Sequence, residues 1–72
     1  MVSVRFFTST DRTSDDELLR ILATSVPRKG DRAAVNGKYG WLSGEVIHVG
    51  WLFDNESDPP VVANVVILPD RR

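Results

Sequence analysis

The sequence predicts an α+β domain of order β-α-β-β-β-β, a strongly curved antiparallel sheet or small open barrel with one covering helix. Three observations predict it. The apolar period widens from two residues in VSVRFFTS to a helical spacing in SDDELLRILATSV. An Asn36-Gly37 pair separates two short strand-like runs. Near the end of the chain, VVANVVIL is apolar on both faces.

The first strand places Val2, Val4 and Phe6 on one face and Ser3, Arg5 and Phe7 on the other. For the helix, Ser14 and Glu17 form a capping box, and Asp15 and Asp16 favour the positive end of the helix dipole. Leu18, Ile21 and Leu22 form its apolar stripe, and Pro27 ends it. A helix of about ten residues is unstable alone, so it must pack on the sheet. PRKGD is a loop, RAAV a short strand, and Asn36-Gly37 a type I′ hairpin turn into KYGWL. Ser43-Gly44 marks a second turn or a bulge. The long strand EVIHVGWLF alternates Ile47, Val49, Trp51 and Phe53 against Val46, His48, Gly50 and Leu52. A bulge near residues 47 to 49 would change which valine points inward. DNESDPP is a proline-stopped acidic loop, and the last strand belongs at the centre of the sheet or under a partner.

With 72 residues the chain is a single domain with a thin core. It reads as a complete gene product from Met1. Absence of cysteine excludes disulfides and thiolate metal sites. The net charge of −1 excludes a whole-domain nucleic-acid footprint, because phosphate binding draws on a positive excess. No apolar run approaches the roughly 20 residues of a membrane span, and MVSVRFFTST is no signal peptide. A cytoplasmic protein without cofactor or metal is expected. A core this thin makes self-association into a homodimer a natural stabiliser.

PRKGD entering a strand, the run GEVIHVGWLFD and the closing VVANVVIL resemble small accessory proteins of bacteriophages and prophages. The matching residues are Pro27, Gly30, Asp31, Tyr39 or Trp41, Val46, Val49, Trp51 and Asp54, over residues 27–68. Small barrels of the Tudor and KOW kind share the pattern. The resemblance implies a curved sheet or small barrel, a mobile-element origin and, as one form of its role, inhibition of a host defence or regulatory complex. It implies no catalytic residues.

Among candidate sites, His48 is the only histidine. On a regular strand Glu45 faces the other way, and Asp54 is about 20 Å along the strand, so no acid–base pair forms. Asp54, Glu56 and Asp58 alternate as in the first half of a calcium loop, but the glycine turn and the later glutamate are missing. No nucleophile or phosphate-loop motif appears, so no enzyme is expected. Trp51 is expected in the core, and Trp41 in the core or at a contact.

The expected function is non-catalytic protein binding. Phe7, Tyr39, Trp41, Leu52 and Val62 are its candidate apolar anchors, and Asp54, Glu56 and Asp58 its charged rim. The alternative is a small nucleic-acid-binding barrel. It would use Arg28, Lys29, Arg32, Lys38 and Trp41, since aromatics interleaved with cations stack bases and contact phosphates.

Overall fold

The computed structural model describes residues 1–8 and 17–70, and among them there is no helix. Its elements are β1 (Val2–Thr8), β2 (Glu17–Ala23), β3 (Arg32–Gly37), β4 (Gly40–Phe53) and β5 (Val61–Pro69). They form one sheet in the order β2-β1-β5-β4-β3. The sheet curls into a half-barrel. Its two edges meet at one point, where the Lys38 N–H donates to the Leu18 carbonyl at 2.9 Å.

The expected α+β class is therefore corrected to all-β. Glu17–Ala23, read as helix, is an edge strand antiparallel to β1. The Ser14 cap, Asp15 and Asp16 lie outside the described residues. The physical reason is competition between local and tertiary terms. A short isolated helix gains little, whereas pairing ELLRILA with β1 satisfies two strands' backbones at once. A bulge disguises the strand. Leu19 pairs with Phe6 and Glu17 with Phe7, so Leu18 is the extra residue. Leu18 and Leu19 then both pack on the core. Adjacent inward leucines followed by Ile21 imitate a helical stripe.

A second correction concerns strand direction. β5 runs antiparallel to β4 but parallel to β1, with Ser3 opposite Val62 and Thr8 opposite Ile67. The central position of VVANVVIL follows from its two apolar faces. On the inner face, Val4, Phe6, Val46, Val65 and Ile67 form the core with Leu18 and Val35.

The GWL of KYGWL and the run EVIHVGWLF are one strand. β4 pairs with β3 through its first half and with β5 through its second. Ser43-Gly44 is not a turn. Gly44 is a point of close approach between β4 and β5: a Cβ there would overlap the Leu68 carbonyl oxygen and lie 2.9 Å from Pro69 Cα. The hairpin is also shifted. Lys38 and Tyr39 make the turn, and the left-handed residue is Gly40, at φ 85°. This is a tight turn on Lys38-Tyr39 with Gly37 opposite Gly40, rather than a type I′ turn on Asn36-Gly37.

Further along β4 the register skips Ile47, between Val46 opposite Ile67 and His48 opposite Val66. The bulge puts Val46 on the same inner face as Val49, Trp51 and Phe53. It also brings Glu45 and His48 onto the same outer face, where a regular strand would separate them.

Candidate functional site

Register alone assembles the main surface. On the outer face, Leu22 stands opposite Ser3, Ser3 opposite Val62, and Val62 opposite Leu52. This row crosses four strands at the end of the sheet where β4 runs into the acidic loop. On the inner face at that end, Trp51 stands opposite Ala63 and Phe53 opposite Val61. The two rings stack with centroids 6.5 Å apart.

Trp51, expected in the core, is 48% exposed, and Phe53 is 77% exposed. Curling explains this. The half-barrel closes at Leu18, near the other end of β2, so the β4 end has no opposing strand, only the loop after β2 across an open groove. Small Ala63 beneath Trp51 is buried completely, so the core is complete without most of the indole.

The loop after β4 folds back on itself. Asp54 N–H donates to the Pro60 carbonyl at 2.8 Å, and the Asp54 carboxylate accepts from the Glu56 N–H at 3.0 Å. The peptide between Asp58 and Pro59 is cis. Asp58 and Pro59 lie beside the outer row. With Leu22, Leu52, Val62 and Arg20 they line a groove of about 450 Å³. A second groove, of about 390 Å³, lies on the inner side, where Val26, Arg28 and Lys29 face Val2, Val49 and Trp51.

Of the expected protein-binding residues, Leu52, Val62 and Asp58 thus share one groove, with Asp54 and Glu56 in the loop beside it. Phe7 lies on the same face but opposite Val66, roughly 13 Å further along β5. Tyr39 and Trp41 sit at the β3–β4 hairpin, roughly 35 Å from Leu52 along β4. Trp41 is 75% exposed. These residues therefore occupy two separate ends of a molecule 41 Å long.

The basic residues are divided too. Arg32 is paired with Asp70. Lys38 sits over the Tyr39 ring at 5.4 Å. Arg28 and Lys29 are at the inner groove, where the neighbouring aromatic is Trp51 and not Trp41. His48 is exposed on the outer face, with Nε2 over Gly50. Among the described residues no group of three His, Cys, Asp or Glu is placed to hold a metal ion. No helix among them is long and apolar enough to cross a membrane.

Sequence reading missed Leu22, Trp51 and Phe53 as surface residues. Trp51 and Phe53 do alternate just before the acidic loop, which is a usable signal for an exposed strand end. Leu22 becomes visible only when ELLRILA is read with period two.

One electrostatic cluster borders the outer groove. Glu17 accepts from Arg20 Nε at 2.8 Å and from Arg5 Nη2 at 3.2 Å. These hydrogen bonds, Arg20's first, lower the Glu17 carboxyl from an ordinary 4.5 to about 2. The depressed value means that the folded state holds the charged form better than the unfolded chain does. Its stabilisation is complete above pH 4.5 and is lost as pH falls toward 2. In acid titrations followed by thermal melting, Glu17→Gln should be less stable than wild type at neutral pH. The gap should close across that window.

The class defined by fold and site is a small curled half-barrel with a charged-rimmed apolar end. Comparison with protein-family models, curated proteins and solved structures gives no match.

Proposed function

We propose that the chain is a non-catalytic protein-binding module that holds its partner through the β4 end of the sheet. One observation carries this reading. Leu22, Trp51, Leu52 and Phe53 are large, apolar and exposed, and all four gather at that end. Two lie on the outer face and two on the inner face of the same sheet end. Large exposed apolar side chains gathered this way commonly mark an interaction site, and a polar rim around them is the usual anatomy of an interface. Here Asp54, Glu56 and Asp58 rim one side, and Arg28 and Lys29 the other. The resemblance to phage accessory proteins adds one form of the role, inhibition of a host defence or regulatory complex. That form rests on the resemblance alone.

A second reading has its own observation. Arg28 and Lys29 stand beside an exposed tryptophan stacked on a phenylalanine. Such a platform suits the bases and phosphates of a single strand. The acidic loop at the same end opposes it.

The test places a photo-crosslinking benzoylphenylalanine at Phe53, and separately at Trp41, in cells that make the protein. The expected result is a discrete protein adduct from position 53 that survives high salt and nuclease. No adduct there, or one only from position 41, overturns the assignment to this end. An adduct lost with nuclease or at high salt transfers the function to nucleic acid.

A further inference from the structure

We propose that the partner of this end is a second copy of the chain, docked about a two-fold axis. The proposal rests on the protein-binding reading above and names its partner.

The distribution of ion pairs carries it. Arg5 and Arg20 are held by Glu17, and Arg32 by Asp70. Lys38 lies against Tyr39. Arg28 and Lys29 are left with no side-chain ion pair among the described residues. The carboxylates of Asp54, Glu56 and Asp58 are in the same position, as are those of Glu45 on the outer face and of Asp31. Asp31 accepts from the Arg28 N–H at 2.9 Å and leaves the Arg28–Lys29 group with one net positive charge. The acidic loop and the Arg28–Lys29 pair border the same apolar end, on opposite sides of the sheet. Asp58 lines the outer groove, and Arg28 and Lys29 line the inner one. Within one molecule the sheet stands between them.

A two-fold axis in the plane of the sheet, across the strand ends, sets the copies end to end with the outer side of one beside the inner side of the other. Each acidic loop then faces the partner's Arg28 and Lys29, and the contact occurs twice. This is the self-complementarity an isologous dimer requires. Trp51, Phe53, Leu22 and Leu52 would be covered between the two charge contacts. A standard interface takes roughly 800 Å² from each partner, a modest share of the 5248 Å² surface. The net charge of −1 adds almost no general repulsion between copies.

The experiment is sedimentation equilibrium on the full chain from micromolar to millimolar concentration. Wild type is expected to reach twice the monomer mass. Two reversals are compared with it: Glu56→Lys with Asp58→Lys, and Arg28→Glu with Lys29→Glu. All four residues are exposed, and unchanged thermal melting of the dilute monomers confirms folding. Each reversal alone should weaken the dimer at least roughly tenfold, because like charges then meet across the interface. An equimolar mixture of the two variants should restore the dimer, since the heterodimer has opposite charges at both contacts.

Wild type that remains monomeric overturns the proposal. So does a dimer indifferent to either reversal, or a mixture that stays monomeric. The parent reading fails separately. A position 53 adduct with a different protein would keep the binding end and remove the second copy as its partner. No adduct at all would remove both.

Discussion

Replacing Ile67 with alanine is expected to lower stability by about 4 kcal/mol, at the upper part of the range for deleting a buried aliphatic side chain. Ile67 is fully buried and lies on the central strand. It stands opposite Thr8 on one side and Val46 on the other. Both neighbours are fixed by backbone pairing, so the walls of the cavity have little freedom to collapse. Small domains have a total stability on the order of 5 kcal/mol, so the variant should be largely unfolded near body temperature. Urea unfolding of Ile67→Ala and the milder Ile67→Val tests this. The valine variant should lose about 1 kcal/mol with an unchanged denaturant slope. A loss below about 1 kcal/mol for the alanine variant would show that the core is looser than described.

Gly44→Ala is expected to cost about 3 kcal/mol, although it adds a single methyl group at a position of ordinary backbone geometry. The cause is not a left-handed φ. The added carbon would overlap the Leu68 carbonyl oxygen and stand 2.8 Å from its carbon. Those atoms are main chain and cannot rotate aside, so β4 must separate from β5. The same change at Gly50 meets only the mobile tip of His48, at 3.3 Å, and should cost far less. Thermal melting of the two alanine variants side by side makes the comparison. Equal losses would mean that the close approach at Gly44 does not constrain the fold.

The contrast between those glycines shows what the sequence could convey. Alternation identified β1 and β5, and the apolar double face of VVANVVIL placed β5 centrally. The dipeptide Asn36-Gly37 announced a hairpin but misplaced its turn by two residues, because the left-handed position is Gly40. The glycine at 44 was visible as punctuation, yet punctuation does not distinguish a turn from a close crossing. The helix reading failed at Leu18, whose bulge sets two leucines inward together and removes the period-two signal. Parallel pairing of β1 with β5 is not encoded locally at all.

The same limits governed the candidate site. Leu52, Val62 and the acidic loop were visible because they adjoin in sequence or in alternation. Leu22 joins them only through a register that runs across β1 and β5. Arg28 and Lys29 meet Trp51, not Trp41, because the loop after β2 crosses the inner face of the sheet. Sequence proximity therefore paired the basic residues with the wrong tryptophan.

The parallel contact between β1 and β5 also governs when the fold can form. Ser3 waits for Val62, and Phe6 for Val65, so β1 has a partner strand that lies far along the chain, beyond β2, β3 and β4. A chain emerging from the ribosome can close the β3–β4 hairpin early, since that pairing is local. It cannot fill its core until β5, which supplies Val65 and Ile67, has been synthesised. Pairings so distant in sequence make folding slow compared with a helical domain of equal size. During that interval the apolar strands remain open to one another's neighbours, and crowded nascent chains become the hazard.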